Sequence, residues 1–303
     1  MLKKHLLKNK RIVVIGGANG TAAVLQALKR RVGHLSVIQT PADDGGSGGA
    51  VRAHFKIMAP GDARRALVAL SETKDKKALA AFTHRFETGP LKGQVLGNLI
   101  IAGLARNLGG FEEAIEELKK ALKVRGDILP ASLTPATLYA VLANGHRIVG
   151  ETHIDLRKNT RVGIMRVGFV KPVPLNPRAR QAIERADAII IGPGDLYTSI
   201  IPNFLVTGMK EAVAQSEAKK IYIINAANKP AETAGFTDED YVRELKKYVG
   251  VVEEVIRPRD ILGYSPFSKG SLPAGRQVPV GGGILEMERY TPSQIWRAVR
   301  EIL

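Results

Sequence analysis

Short apolar runs alternate with amphipathic stretches along most of the chain. Arg11–Ile15 (RIVVI) is a β-branched run that stops at Gly16, and residues 21–31 then place apolar side chains at helical spacing. A second apolar run follows at residues 35–40. A strand, a glycine turn, a helix and a second strand in this order are typical of the opening of a doubly wound parallel sheet.

The alternation continues towards the carboxyl terminus. Residues 188–191 (AIII) are entirely apolar, and runs at about 220–225 and 251–256 predict further strands. Helical patterns fill the stretches between them and the final residues 292–303. We therefore predict an α/β protein with a Rossmann-like, doubly wound, mainly parallel sheet that carries helices on both faces.

Four consecutive helical patterns separate the opening unit from the later strands. They lie at about 62–72, 74–85, 95–108 and 111–123. Asp62 follows a Pro-Gly pair and is the predicted N-cap of the first of these helices. We expect one domain over residues 1–303, with the helical segment at about 62–124 packed beside the sheet, and two strand-like pieces at about 137–143 and 147–149.

Two of the predicted strands end in turns that are poor in side chains. The turn residues are Gly16, Gly17 and Gly20 after the first strand and Gly192, Pro193 and Gly194 after AIII. Glycine lets backbone N–H groups approach an anion, and the hydroxyls of Thr198 and Ser199 follow the second turn. The pattern favours a phosphate-binding crevice at the carboxyl ends of the strands, and its alternative is a pair of tight corners without a ligand.

Polar side chains in two other segments are candidates for ligand contacts. Asp43 and Asp44 follow the second strand and precede the Gly-Gly-Ser of residues 45–47. Vicinal carboxylates there can hold Mg²⁺, accept sugar hydroxyls or act as a base, or they can simply form an Asx turn in a solvated loop. Asn98, beside a helical glycine, is either a ligand contact or a surface residue next to a close helix packing.

The net charge, the cysteine count and the aromatic content restrict the molecules that the protein is expected to bind. The 303 residues carry a formal charge of +16 and no cysteine, so thiolate chemistry and disulfides are excluded. A basic surface attracts phosphorylated molecules. Aromatic residues make up 5% and are not interleaved with the basic ones, which argues against nucleic acid. No apolar run is long enough for a membrane span and no secretory signal is evident, so we expect a cytoplasmic protein without membrane contact.

Five motifs in a fixed order resemble one known family. They are GGANGTAAVLQAL, PADDGGSGGAVR, APGDARRALVAL, LKGQVLGNLIIAGL and IIIGPGDLYTSIIPN. They resemble the gluconeogenesis factors (YvcK-like), within the superfamily of 2-phospho-L-lactate transferase (CofD-like). The resemblance implies a regulatory protein that binds a UDP-sugar such as UDP-N-acetylglucosamine and is linked to growth on gluconeogenic carbon sources and to cell shape. The alternative is a transferase with a nucleotide-activated donor.

The resemblance also implies roles for particular residues. Those that would contact the ligand are Gly16, Gly17, Asn19, Gly20, Asp43, Asp44, Ser47, Asn98, Gly192, Pro193, Gly194, Thr198, Ser199, Tyr264 and Arg289. Asp43 and Asp44 are also the candidates for catalysis. Asp195 stands where the family has serine. Its charge would repel a phosphate if it points at one, and the alternative is that it points outward as a helix cap. Residues 271–277 are interpreted as an inserted loop.

The resemblance extends to cofactors and partners. A regulator that binds a UDP-sugar requires no cofactor, whereas a transferase would involve Mg²⁺. We expect a homodimer whose ligand is a nucleotide sugar.

Overall fold

The computed structural model of the protein describes residues 7–263 and 289–303, and nine strands lie within them. They are β1 (Arg11–Ile15), β2 (His34–Gln39), β3 (Asp127–Pro130), β4 (Leu138–Leu142), β5 (Arg147–Val149), β6 (Ile164–Phe169), β7 (Ala188–Ile191), β8 (Lys219–Ile223) and β9 (Glu254–Ile256). Six of the strands form one sheet with the order β3-β2-β1-β7-β8-β9, and every neighbouring pair in it is parallel. This arrangement confirms the predicted doubly wound α/β fold.

Helices cover both faces of this sheet. The α-helices in the described residues are α1 (Ala18–Leu28), α2 (Gly46–Phe55), α3 (Gly61–Leu70), α4 (Lys76–Thr83), α5 (Leu96–Leu108), α6 (Phe111–Ala121), α7 (Glu151–Asp155), α8 (Pro177–Glu184), α9 (Ile201–Phe204), α10 (Met209–Gln215), α11 (Asp238–Val249), α12 (Pro258–Leu262) and α13 (Pro292–Val299). Residues of α1, α3 and α13 share one apolar core, and those of α8, α10 and α11 share the other.

The burial of β7 explains its sequence. Ile189 and Ile191 belong to the core on one face of the sheet, while Ala188 and Ile190 belong to the core on the other. A parallel strand that is covered on both faces has no polar side, so its residues are apolar without alternation.

The structure differs from the expectations in two helical regions. The glycine-rich, polar sequence of residues 43–49 predicts a loop, yet Gly46–Phe55 is the helix α2. Asp62 is not an N-cap: α3 begins at Gly61 with Pro60 in the cap position, and the Asp62 carboxylate accepts from residues outside that cap. The cause is tertiary, because an ion pair and a distant amide compete successfully for this carboxylate.

A second, smaller sheet was not expected. The strand-like pieces at about 137–143 and 147–149 join β6 in an antiparallel sheet with the order β5-β4-β6. The inner side of β4 contributes Leu138, Ala140 and Leu142 to the core that also contains α8, α10 and α11. This sheet therefore packs on one face of the parallel sheet.

Asp44 connects the two sheets. Its carboxylate accepts hydrogen bonds from the backbone N–H of Glu151 (3.0 Å) and of Thr152 (2.8 Å), and from the Thr152 hydroxyl (2.8 Å). These donors lie at the start of α7, directly after β5. A side chain that follows β2 thus caps a helix more than a hundred residues away.

Two further predictions concern membrane-spanning helices and the segment that includes Tyr264 and residues 271–277. None of the helices in the described ranges has the length and apolar character that a membrane crossing requires. The proposed loop insertion at about 271–277 and Tyr264 lie outside the described residues.

Replacing Asp44 with alanine should destabilise the protein by about 1.5–3 kcal/mol, because three donors at the start of α7 lose a charged acceptor. Urea denaturation of both proteins measures this difference. Asp75→Ala is the matched control: Asp75 caps α4 through one exposed hydrogen bond, to the Ala78 N–H. A loss at Asp44 no larger than at Asp75 would contradict the connecting role.

Candidate ligand-binding site at the carboxyl ends of the strands

The strand order has its reversal point between β1 and β7. From β1 the chain builds outward to β2 and β3, and from β7 it builds in the other direction to β8 and β9. In open α/β sheets the crevice at such a point, outside the carboxyl ends of the strands, is where ligands bind. Both predicted glycine turns lie at this edge, because β1 and β7 pair in parallel with Ile15 opposite Ile191.

The two turns contact each other. A Cβ atom at Gly20 would lie 2.4 Å from the carbonyl oxygen of Pro193, so only glycine fits between the turns. Together they line one cleft with the residues that follow β8 and with two residues that precede α13. Its lining includes Ala18, Asn19, Gly20, Pro193, Gly194, Asp195, Asn225, Ala226, Ala227, Arg289 and Tyr290. We call this the switch-point cleft.

The start of α1 is already engaged by one carboxylate. Asp62 accepts from the Ala18 N–H at 2.9 Å and pairs with Arg65 at 2.5 Å. Its Oδ2 lies where a side chain at Gly17 would stand, 2.4 Å from an added Cβ. One first-turn amide is therefore occupied by the protein, and Asn19 and Gly20 supply the amides of that turn at the cleft.

The hydroxyls after the second turn are placed differently from the expectation. Leu196–Ile200 forms a π-helical turn, in which Thr198 is buried and donates its hydroxyl to Glu232 at 2.6 Å. Glu232 also accepts from the Tyr197 N–H. Ser199 is half-buried, and neither hydroxyl is among the groups that line the switch-point cleft.

Asp195 is paired rather than turned outward. No side-chain cap bond joins it to the helical turn that it precedes, and its carboxylate lies 2.7 Å from the ammonium of Lys229. Lys229 also contacts Asp155 and lies 3.7 Å from Glu232. The expected outward cap is therefore wrong, because a nearby lysine attracts this carboxylate.

A second cleft holds the other predicted polar residues. Asp43, Ser47 and Asn98 line it together with residues of α3 and α7. Asn98 is buried and sits in the first turn of α5; it donates to the Ser47 hydroxyl at 3.1 Å and accepts from Arg64 at 3.1 Å. The Ser47 hydroxyl donates in turn to Gln94. Asn98 is therefore buried, and the alternative that it is a surface residue is wrong.

Charges of both signs face this second cleft. Arg64, Arg65 and Arg85 line it, and burial together with the neighbouring arginines lowers the pKa of Arg64 to about 10, so that it is still charged at neutral pH. Burial and the charge of Asp62 raise the pKa of Asp43 to about 6. Burial and the charges of Asp43 and Asp44 raise the pKa of Glu151 to about 8.

The predicted residues that the structure describes fall into two groups, and Tyr264 lies outside the described residues. Those in the two clefts are Asn19, Gly20, Pro193, Gly194, Arg289, Asp43, Ser47 and Asn98. Those that shape the turns or bond to the protein are Gly16, Gly17, Gly192, Asp44, Thr198 and Ser199. The two adjacent carboxylates have different partners. Asp43 faces the second cleft and accepts from the Gly45 N–H in an Asx turn, whereas Asp44 caps α7.

Several site residues could not be inferred from the motifs. They are Arg64, Arg85, Glu151 and the residues 225–227 after β8. Residues 225–227 could have been predicted, because they follow a parallel strand and ligands bind at the carboxyl ends of such strands. Glu151 belongs to a short helix in the antiparallel sheet region, and no local pattern points from there to the cleft.

Fold and site together define a class: α/β proteins with a Rossmann-like strand order and a glycine-lined crevice at its reversal point. A sequence model of the family described as 2-phospho-L-lactate transferase CofD matches residues 12–265. The chain belongs to this CofD family.

Relatives within the family bear a more specific name. The chain is 41% identical over 257 residues to the gluconeogenesis factor of Halalkalibacterium halodurans, covering 82% of this chain and 78% of that one. It is 40% identical over 243 residues to the gluconeogenesis factor of Bacillus subtilis, covering 79% and 75%. A crystal structure of a UPF0052 family member from Bacillus halodurans has a TM-score of 0.77 at 40% identity, covering 81% of this chain and 80% of that one.

Glu151 should make stability depend on pH. The folded protein holds a proton on this carboxyl up to about pH 8, whereas the unfolded chain releases it near pH 4.3, so stability falls as pH rises between these values. The Glu151→Gln variant lacks this proton uptake. Its stability relative to the wild type should therefore increase by more than about 1 kcal/mol from pH 5 to pH 8, measured by urea denaturation.

Glu117→Gln on α6 is the matched control, because the Glu117 side chain is exposed and pairs with Lys120 on the surface. Its stability relative to the wild type should show no such trend. A difference between wild type and Glu151→Gln that is constant across this pH range would contradict the buried position of Glu151.

Proposed function

We propose that the protein is a gluconeogenesis factor that binds a UDP-sugar in the switch-point cleft and acts as a regulator. The observation that carries this proposal is the contact between the two glycine turns across the β1–β7 reversal point, which places backbone from both turns on one cleft. A diphosphate is the ligand group that suits such a surface, because the first turn of α1 offers N–H groups and a positive helix end.

Side chains around the cleft support an anionic ligand. Arg289 lines it and supplies a guanidinium that suits phosphate oxygens. The charge of Asp195, which would repel a phosphate, is offset by Lys229 at 2.7 Å. Asn225, after β8, adds an amide that can hydrogen-bond a base or a ribose.

The identity of the base and sugar rests on the resemblance to the gluconeogenesis factors. In this proposal the sugar extends towards the second cleft, where Asn98, Arg64 and Arg85 supply polar groups. In this proposal the protein binds the nucleotide sugar without converting it. It thereby acts as a regulator that responds to the level of the nucleotide sugar and influences gluconeogenic growth and cell shape. We propose a homodimer in the cytoplasm as its working form, without nucleic-acid or membrane partners.

A transferase is the second candidate, favoured by the carboxylates in the second cleft. Asp43 and Glu151 both have pKa values raised by burial and by neighbouring carboxylates, so a divalent cation would relieve their repulsion. Carboxylate oxygens are the donors that Mg²⁺ takes, and both carboxylates line this cleft. In this reading Asp43 would hold the metal, which would neutralise charge on a donor diphosphate, and Arg64 would orient the transferred group.

Calorimetric titration with UDP-N-acetylglucosamine tests the first proposal. We expect saturable binding to the wild type and a loss of roughly tenfold or more in affinity for Gly20→Ala, because an added Cβ must push the two turns apart. Gly103→Ala is the matched control: an added Cβ there meets nothing within 4 Å, and affinity should not change. Absence of binding to any uridine nucleotide at millimolar concentration would overturn the proposal.

Turnover assays distinguish the second candidate. A transferase should consume a nucleotide-activated donor only with Mg²⁺, and Asp43→Asn should lower the rate by about tenfold or more while UDP-sugar binding in the switch-point cleft persists. Asp75→Asn, on the surface before α4, is the control for a carboxylate-to-amide change. A protein that binds its ligand and releases no product with any donor and acceptor supplied would leave the regulatory proposal standing alone.

A further inference from the structure

A third cavity lies at the opposite edge of the parallel sheet from the two clefts. It has a volume of about 350 Å³ and is bounded by the amino ends of β1, β2 and β3 and by α8. Arg11 and His34 begin β1 and β2 there, and Arg185 follows the last residue of α8. This volume is within the range of roughly 300–1,000 Å³ that is usual for small-molecule sites. We call it the amino-end pocket.

The floor of the pocket is apolar except for one hydroxyl. Val13, Leu129 and Ala182 line it together with Ser36, which pairs in the sheet with Val13 and Asp127. Ser36 is 2% exposed and is a polar residue of the pocket wall. A serine hydroxyl can donate one hydrogen bond, so Ser36 is a candidate donor to an anion that enters the pocket.

The charges at the rim leave two guanidinium groups uncompensated. Asp127 is engaged by Lys119 at 2.8 Å and by His34 at 2.7 Å. Arg178 pairs with glutamates of α6. Arg11 and Arg185 line the pocket, and among the described residues neither guanidinium has a carboxylate within ion-pair distance. The acidic groups at this edge are thus already neutralised, and the remaining charge is positive.

We propose that the amino-end pocket binds a small phosphorylated molecule. The phosphate group accepts from Arg11, Arg185 and the Ser36 hydroxyl, and the carbon part of the ligand lies on Val13, Leu129 and Ala182. Phosphate is favoured over carboxylate because these donors come from three separate elements, and a tetrahedral anion accepts from several directions at once. The site is distinct from the proposed UDP-sugar site, since β1 begins at one and ends at the other.

Calorimetric titration with phenyl phosphate, with benzoate as the carboxylate counterpart, tests the proposal. Phenyl phosphate should bind more tightly than benzoate. The double variant Arg11→Gln with Arg185→Gln should bind it at least roughly tenfold more weakly, and Ser36→Ala should also weaken it. Arg161→Gln, which changes an exposed arginine of a loop outside the pocket, is the matched control and should bind as the wild type does.

The switch-point cleft could also take phenyl phosphate, and Gly20→Ala separates the two sites. Under the proposal Gly20→Ala binds phenyl phosphate like the wild type, whatever happens to UDP-sugar binding. Three results would overturn the proposal: no binding at millimolar phenyl phosphate, unchanged affinity in the double arginine variant, or binding lost in Gly20→Ala and kept in the double variant. Circular dichroism and urea denaturation of each variant show whether it is folded, so that a null result is informative.

Discussion

The parallel pairing of β1 with β7 is the constraint on which the rest of the structure depends. Ile15 and Ile191 are opposite each other, so both strands end at the same level and their turns meet. Four apolar residues in β7, buried on both faces, hold this register. Since the chain leaves these two strands in opposite directions, no connection covers the space above them, and a cleft remains. The clefts, the turns and the placement of α1 all follow from this one pairing.

Around the cleft, carboxylates and cations are matched across long distances in the sequence. Asp62 from α3 engages the first turn of α1 and pairs with Arg65, while Lys229 after β8 lies between Asp155 and Asp195. Each of these pairs brings elements from different parts of the chain to the same edge of the sheet. Their charges also set the electrostatic field that a ligand anion meets, because buried pairs are little screened by salt.

Local sequence was sufficient for the features that local chemistry determines. The residues of β7 and its Gly-Pro-Gly turn follow from an apolar run and from turn residues with known conformations, and the predicted bounds agree with the structure. The sequence did not reveal β6, nor that β4 and β5 pair with it in a separate sheet, because strand pairing depends on contacts between distant segments. The resemblance was confirmed by the match to the CofD family and by relatives named gluconeogenesis factor, whereas the roles of individual residues stay predictions.

The hydrogen-bond partners of individual side chains explain the remaining differences between the predicted and the observed site. Asp43 and Asp44 are adjacent and chemically identical, yet one faces a cleft and the other caps α7. Thr198 follows a phosphate-type turn, but Glu232 takes its hydroxyl. In each case a residue far away in the chain decides the outcome, and no spacing rule contains that information.

The Asp44 cap has a mechanical consequence. Asp43 and Asp44 are adjacent, so a shift of the backbone at these residues would strain the three hydrogen bonds of the Asp44 carboxylate or move α7 with it. The Asp44 cap thus connects the second cleft, through α7, to the small sheet. Arg147 and Arg166 stack on Tyr139 in that sheet. A displacement of α7 would therefore also displace the small sheet to which α7 is attached.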